Sequence, residues 1–159
     1  MKIYQEANKV MKTMGQNEVE VAIVDTASME FDAKCDINKI SIADKKTKKE
    51  KKALLIFELT NVIHSPRFAK VYKKLNKGKF KTAEKYTKHM EKVEYDGLCR
   101  YLDVMKKIKI DDGKWGWVRK EHKVRRGFKH YYNHLLDNSH KEYYRKIWQD
   151  WYNESSKTQ

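Results

Sequence analysis

Cysteine, proline and glycine are scarce in this chain of 159 residues, which contains 2 Cys, 1 Pro and 6 Gly. Cys35 and Cys99 are too few and too isolated for a zinc knuckle or a disulfide framework. They favour a reducing compartment, with a single bridge left open as the alternative. So little proline and glycine leaves no candidate for a linker, and no internal repeat is present. We therefore expect one domain over residues 1–159.

Long apolar runs are also absent. The longest, residues 53–59, is interrupted by Glu58 and is far too short to span a bilayer. Residues 1–6 lack the hydrophobic core of a signal peptide. We expect a soluble protein without a transmembrane segment. It either stays in the cytoplasm or is exported without a signal peptide, as part of a larger polypeptide.

Basic residues outnumber acidic ones, and the excess is uneven along the chain. There are 36 Lys and Arg against 22 Asp and Glu, a net charge of +14. Residues 1–44 hold 5 basic and 8 acidic side chains, so a charge of −3 there leaves +17 for residues 45–159. A positive field of this size attracts nucleic acid, an anionic cell-wall polymer or an anionic membrane surface. The alternative is a protein that its charge merely keeps in solution.

The N-terminal part combines a short helix with strands. Residues 2–14 have the apolar spacing of a helix, with Ile3, Ala7, Val10 and Met14 on one side. Apolar and polar residues then alternate with the period of β-strands around residues 19–23, 29–31 and 40–42. Turns near residues 26–28 and 34–36 would join these strands into a small antiparallel meander.

Helical periods dominate from residue 53 onward. Residues 53–63 are apolar on every side of a helical wheel, which predicts a buried central helix. Ser65 and Pro66 suit the N-cap and first position of a new helix, which Gly78 would end. A long amphipathic helix is expected over residues 83–105.

Two more helices are expected near the C-terminus, one over residues 128–136 and a last one that begins with a capping box of Ser139 and Glu142. The predicted fold class is α+β and predominantly helical. A small N-terminal antiparallel β-meander within residues 1–44 would pack on a bundle of about five helices within residues 53–154.

Glu58 is the polar residue that solubility explains least, because it lies in the most apolar helix. A buried, unpaired carboxylate is costly, so it must be neutral, paired or facing a cleft, where desolvation favours general acid or base chemistry. Asn61 and His64 follow at steps of about 60° around the helix and complete a polar arc. Glu58, Asn61 and His64 are therefore candidate catalytic residues. The alternative is a structural Glu58, held by a buried Lys or Arg or by backbone N–H groups.

Glu94 is the second candidate catalytic carboxylate. It falls near the centre of the apolar stripe of residues 83–105, whereas Glu84 and Glu91 fall near its edge and are expected to be solvated. If the two helices pack together, Glu58 and Glu94 share an apolar cleft. Sugar-chain hydrolases and metal-assisted nucleases use two carboxylates in this way. The pattern identifies no metal-binding residues and no cofactor.

Cations alternate with aromatic rings in residues 115–134. Such a surface stacks bases or sugars while it neutralises phosphates. His130 and His134, at i and i+4, suit a metal or acid–base work, with ordinary surface histidines as the simpler alternative. The aromatic rings of residues 143–152 are expected in the core. The residues expected to contact a polyanion are Arg119, Lys120, Lys123, Arg125, Arg126 and Lys129.

The segment Phe57-Glu58-Leu59-Thr60-Asn61, after a region of strands, resembles the active helix of zincin-type metallopeptidases, whose signature is H-E-x-x-H. Phe57 and Asn61 replace both zinc-binding histidines, so this resemblance implies only an acid–base role for Glu58. Residues 53–61 together with residues 91–95 are similar to toxin domains at the C-termini of bacterial polymorphic effectors. That resemblance implies a basic passenger domain of a larger polypeptide.

Three hypotheses follow. The leading one is an effector- or toxin-like hydrolase that acts on an anionic polymer, nucleic acid or cell wall, with Glu58 as its acid or base. The second is a non-catalytic module that binds nucleic acid through Arg125, Arg126 and Lys129. The third is an interaction domain whose basic face docks an acidic partner, such as an immunity or inhibitor protein.

Overall fold

The computed structural model describes residues 2–28, 32–113 and 116–157. The chain divides into two compact units. Unit 1 comprises Met1–Pro66 and Gly97–His122, and unit 2 comprises Arg67–Asp96 and Lys123–Gln159. The expectation of a single domain over residues 1–159 stays a prediction.

The described residues form a mostly helical α+β fold, as predicted. The α-helices are α1 (Lys2–Thr13), α2 (Lys48–Asn76), α3 (Ala83–Ile108), α4 (Glu121–Val124), α5 (Phe128–His130) and α6 (Asn138–Lys157). A 3-10 turn covers Thr26–Ser28, and a π-helical turn covers Tyr131–Leu135. The strands are β1 (Glu20–Val24), β2 (Ala33–Asp36) and β3 (Lys39–Ala43). No helix within the described ranges is long and apolar enough to cross a membrane.

The small sheet in unit 1 is mixed, not the antiparallel meander that the sequence predicted. Its strand order is β1-β3-β2, with β1 parallel and β2 antiparallel to β3. Strand β3 takes the centre because its Ile40 and Ile42 are fully buried, and the central strand of a small sheet offers the most cover. The predicted strand around residues 29–31 lies outside the described residues.

The turn expected at residues 34–36 was wrong. Lys34, Cys35 and Asp36 belong to β2, where Cys35 pairs with the buried Ile40 of β3. Packing against this apolar neighbour favours a strand more strongly than the charged residues on either side of Cys35 favour a turn. The chain turns instead at Ile37 and Asn38. The expected turn at Thr26–Ser28 is confirmed as a 3-10 turn.

Helix α2 begins and ends as elementary rules require. The Oε2 atom of Glu50 accepts from the backbone N–H of Thr47 at 2.9 Å, and the Thr47 hydroxyl accepts from the Glu50 N–H at 3.2 Å, which completes a capping box. Gly78, with φ 65°, takes the left-handed conformation just after Asn76. The lysine-rich run before residue 53 is therefore mainly the first turns of this helix.

The predicted new helix at Ser65 and Pro66 was wrong, because α2 continues through Pro66. Proline removes one backbone hydrogen bond, but buried apolar residues on both sides of it, Val62 and Val71, favour an unbroken helix. Side chains also satisfy carbonyls in the preceding turn. The His64 Nδ1–H donates to the carbonyl of Thr60 at 2.8 Å, and Ser65 donates to that of Asn61 at 3.3 Å.

Helix α6 begins one residue before the expected capping box. The Asp137 carboxylate accepts from the backbone N–H of Ser139 at 2.7 Å and from its hydroxyl at 2.8 Å, so Asp137 is the N-cap. Glu142 pairs with Arg145 instead of reaching back to Ser139. The core of unit 2 joins α2, α3 and α6. It consists of Val71, Leu75, Phe80, Tyr86, Met90, Val93, Tyr144 and Trp148.

Ile37 has a φ of 56° at the β2–β3 turn, a left-handed conformation that a β-branched residue rarely adopts, and its surface is 65% exposed. We predict that Ile37→Gly raises the free energy of unfolding by about 1 kcal/mol, because glycine relieves this strain and little burial is lost. Urea unfolding measures the change. Ile37→Val, which keeps the branch at Cβ, should leave stability nearly unchanged. A glycine variant that is less stable than the valine variant would contradict the prediction.

Candidate acid–base site

A buried carboxylate on α3 binds a histidine on α6 within unit 2. Glu91 is fully buried, and its Oε1 lies 2.8 Å from Nδ1 of His140, so the imidazole N–H donates to it. The side chain of His140 is 44% exposed. One ring nitrogen is thus fixed by a carboxylate while the ring stays accessible to solvent. A carboxylate orients a histidine for proton transfer in this way.

The surroundings of His140 favour its charged form. Burial lowers the pKa of His140, but the hydrogen bond and charge of Glu91, followed by the charges of Glu94 and Asp137, act in the other direction. The net result is a pKa above the ordinary value of 6.5. His140 therefore exchanges its proton above that pH.

A second carboxylate–ring pair lies beside the first. The hydroxyl of Tyr144 donates to Oε1 of Glu94 at 2.7 Å, and the Tyr144 ring packs edge-on against His140 with 5.5 Å between centroids. Burial raises the pKa of Glu94, and the charge of Glu91 adds to the rise, which outweighs the Tyr144 hydrogen bond and the charge of His140. Glu91, Glu94, His140 and Tyr144 form one cluster, which we call the Glu–His cluster.

Helical spacing explains how four residues from two helices meet. Glu91 and Glu94 are three residues apart on α3, and His140 and Tyr144 are four apart on α6, so each pair lies on adjacent turns of one face. Among the described residues, Oε2 of the buried Glu91 has no hydrogen-bond partner. A buried acceptor of this kind is costly in a purely structural site.

Cations and a tyrosine surround Glu84, about two turns before Glu91 on α3. Tyr132 donates to Glu84 at 3.0 Å, and Arg145 and Lys88 lie 3.2 Å and 3.3 Å from its carboxylate oxygens. Burial raises the pKa of Glu84, but the hydrogen bonds of Arg145, Tyr132 and Lys88 lower it below its ordinary value. Lys141, next to His140 in sequence, places its ammonium group 4.6 Å from the centre of the Tyr132 ring. Positive side chains therefore accompany the Glu–His cluster.

Glu91 was expected to be solvated, and this was wrong, because the residue is fully buried. Relative to Ala83, Glu91 points about 80° around the helix, between Leu98 at about 60° and Leu102 at about 100°. Both leucines are buried, so the wheel already contained the signal. His140 was not singled out at all. It lies four residues before Tyr144 and eight before Trp148, on the face of α6 that carries both buried rings.

Glu58 is buried in unit 1, with 7% of its surface exposed, as expected for its helix. Its Oε2 accepts from the side-chain amide of Asn61 at 3.3 Å. Burial, then the charge of Glu58, raises the pKa of Cys35 to about 12, which places the carboxylate close to β2. Cys35 and Cys99 are both free thiols.

His64 and Asn61 lie on α2 where α3 approaches closely. A Cβ atom built on Gly97 would lie 3.6 Å from Nδ1 of His64 and 3.7 Å from Oδ1 of Asn61. The predicted arc of Glu58, Asn61 and His64 is therefore present in unit 1, next to a glycine of α3. Glu94 belongs to unit 2, and the expected pairing of Glu58 with Glu94 stays a prediction.

The residues expected to contact a polyanion are divided between the units. Arg119 donates to the carbonyl of Gly113 at 2.6 Å, and Lys120 lies 5.5 Å from the ring centre of Trp117, both within unit 1. The other four, in unit 2, are all exposed: Lys123, Arg125, Arg126 and Lys129. They accompany two neighbouring histidine rings, His130 and His134, whose centroids are 4.9 Å apart. Slight burial, then the positive charges of His134, Arg126 and Lys123, lowers the pKa of His130.

Comparison with protein-family models, with curated proteins and with solved structures finds no match to this chain. Within the part of the chain that the structure describes, no three His, Cys, Asp or Glu side chains are grouped as metal ligands.

The raised pKa of His140 makes its contribution to stability depend on pH. A folded-state pKa above the unfolded value of 6.5 gives stabilisation that is complete below 6.5 and lost as pH rises through the folded value. We predict that His140→Gln lowers the free energy of unfolding more at about pH 5.5 than at about pH 8.5. Urea unfolding at the two pH values measures the difference. Glu91 is the main group that raises this pKa. When His140→Gln is made in a chain that already carries Glu91→Gln, its effect on the free energy of unfolding should therefore depend much less on pH. An equally strong pH dependence in the Glu91→Gln chain would contradict the role assigned to Glu91.

Proposed function

We propose that this protein is a toxin- or effector-like hydrolase of an anionic polymer, with His140 as its acid–base group and Glu91 as the residue that orients it. The observation that carries the proposal is the 2.8 Å hydrogen bond between the fully buried Glu91 and the half-exposed His140. Perturbed titratable groups of this kind concentrate at functional sites.

In the proposed mechanism, Nδ1 of His140 stays bonded to Glu91, and Nε2 accepts the proton of the attacking water. The same nitrogen then returns a proton to the oxygen that leaves the cleaved bond. Glu91 stabilises the imidazolium that forms between the two steps, because its charge is held at hydrogen-bond distance. Since the pKa of His140 is raised, its base form predominates only at a pH above the ordinary value of 6.5.

Charge supports an anionic substrate for this site. Residues 45–159 carry an excess of +17. Near the Glu–His cluster, Lys88 and Arg145 are ion-paired with Glu84, and Lys141 lies over the ring of Tyr132. Cations near a reacting centre raise the local concentration of a polyanion and speed its association. The proposal moves the acid–base role from Glu58 to His140, because Glu58 is almost fully buried and already holds Asn61.

A second candidate function is nucleic-acid binding without catalysis. It is favoured by the crowding of Lys123, Arg126, His130 and His134, whose mutual repulsion lowers the pKa of His130 after the effect of slight burial. Side chains that repel one another gain from an anionic partner, which removes the repulsion. An acidic protein, such as an immunity or inhibitor protein, would meet the same cations and is the third candidate partner.

We predict that His140→Gln and Glu91→Gln each lower the rate of polymer cleavage by about 10²- to 10⁴-fold, the usual contribution of general acid–base catalysis. Substrate affinity should change little, because neither side chain supplies positive charge in the base form. Initial rates on RNA, single-stranded DNA and isolated anionic cell-wall polymer measure the effect, and circular dichroism verifies the fold.

His89→Gln is the matched control. His89 lies on α3, two residues before Glu91, but its Nδ1 bonds to the carbonyl of Lys85 within the same helix, and the residue is exposed. Its substitution should leave the cleavage rate unchanged. If His140→Gln cleaves as fast as His89→Gln, the proposed mechanism is wrong. If the native chain binds polymer tightly but cleaves none, the non-catalytic candidate replaces it.

A further inference from the structure

Three tyrosines of unit 2 are exposed although most aromatic rings of this unit are packed, and two of them, Tyr72 and Tyr143, are connected to the Glu–His cluster. Tyr72 on α2 is 38% exposed and Tyr143 on α6 is 59% exposed. An exposed large ring is the less common situation for an aromatic residue, whose burial otherwise stabilises the fold. Tyr143 and Tyr152 were both expected in the core, and this was wrong.

The two exposed rings are connected to the Glu–His cluster by ring contacts. Tyr143 packs edge-on against Tyr144 at 5.2 Å between centroids, and Tyr144 in turn contacts His140 and donates to Glu94. Tyr72 packs against the buried Tyr86 at 6.4 Å, and Tyr86 lies 6.4 Å from Tyr144. Each exposed ring is thus held by a buried ring that belongs to the cluster or touches it.

A chain of three ring contacts joins the two exposed rings, from Tyr72 to Tyr86, from Tyr86 to Tyr144 and from Tyr144 to Tyr143. Burial raises the pKa of Tyr72, the Tyr86 hydrogen bond acts against this rise, and the charges of Tyr143 and Glu94 add to it. An exposed cation lies on the same face of α6 as Tyr143: Lys146 follows it by three residues, about one turn of the helix. Flat rings beside cations are the two parts of a surface that stacks bases and neutralises the phosphates between them.

We propose that Tyr72 and Tyr143 form a stacking surface for the bases of a single-stranded nucleic acid, and that this nucleic acid is the polymer on which the Glu–His cluster acts. The second half of the statement rests on the proposed function. An anionic cell-wall polymer offers no aromatic base to stack on tyrosine, and bases in a duplex are already stacked on one another. The exposed rings therefore favour single-stranded nucleic acid among the anionic polymers.

The test measures binding and cleavage separately. Tyr72→Leu and Tyr143→Leu each remove a ring but keep an apolar side chain. Both substitutions are made singly and in combination in the His140→Gln chain, so that the oligonucleotide is not cleaved during the binding measurement. The probes are a fluorescent single-stranded oligonucleotide of about 12 residues and an abasic oligonucleotide of equal length and charge. Fluorescence anisotropy at fixed salt gives Kd.

We predict that each leucine substitution weakens binding of the base-containing oligonucleotide by about tenfold, the lower part of the range for one stacked base. Binding of the abasic oligonucleotide should change less than twofold, because its charge is the same. Tyr152→Leu is the control: Tyr152 is similarly exposed on α6, but its ring stacks on Trp148 at 5.0 Å and belongs to the opposite face. It should leave both affinities unchanged.

Three results would overturn the inference: equal affinity for both oligonucleotides, leucine variants that weaken both equally, or tighter binding of a duplex of the same length. Cleavage distinguishes this failure from failure of the proposed function. If Tyr72→Leu and Tyr143→Leu bind normally while His140→Gln abolishes cleavage, the stacking surface is wrong and the acid–base site stands. If the leucine variants lose base-dependent binding while His140→Gln still cleaves, the stacking surface stands and the acid–base assignment is wrong.

Discussion

The hydrogen bond between Glu91 and His140 is the interaction on which the proposed chemistry of unit 2 depends. A carboxylate with no exposed surface requires a partner, because an isolated buried charge is far more costly than a buried amide or hydroxyl. His140 supplies that partner from the first turn of α6, which Asp137 caps. The same bond raises the pKa of the imidazole, so one contact both stabilises the buried carboxylate and prepares the histidine for proton transfer.

The rest of the cluster extends this arrangement with aromatic rings. Tyr144 satisfies Glu94, packs against His140 and supports Tyr143, so ring contacts join the buried carboxylates to an exposed surface. Tyrosine suits this position because its ring packs in a core while its hydroxyl satisfies a polar neighbour. In the proposed function, the positive excess of residues 45–159 would attract an anionic polymer at long range, whereas the exposed tyrosine rings would contact only groups that stack.

Much of the fold was predictable because it follows from period and capping. Helices α1 and α3, the 3-10 turn at Thr26–Ser28 and the mostly helical class agree with the sequence patterns. The pairing of β1 with β3 was not predictable. The alternation of apolar and polar residues identifies a short strand, but the strand with which it pairs depends on which strand is buried most deeply in the fold. The helix break predicted at Pro66 was also wrong. The burial of apolar residues on both sides of Pro66 stabilises the continuous helix more than the loss of one hydrogen bond destabilises it.

The sequence predicted which way some side chains of the candidate site point, but not which residues they contact. A helical wheel places Glu94 inward, yet it cannot show that Tyr144, 50 residues later, donates to it. Glu91 was missed because the apolar face of α3 was taken to be too narrow. On the helical wheel Glu91 lies between Leu98 and Leu102. His140 gave only the weak signal of sharing a helical face with Tyr144 and Trp148, since a lone histidine is common on any surface.

The most direct test of the central claim is the titration of His140 followed by NMR, in the native chain and in Glu91→Gln. If Glu91 holds and charges the imidazole, the pKa of His140 lies above 6.5 in the native chain and falls in the variant, where burial still lowers it and only the smaller effects of Glu94 and Asp137 raise it. A pKa at or below 6.5 in the native chain, or one that Glu91→Gln leaves unchanged, would contradict the claim.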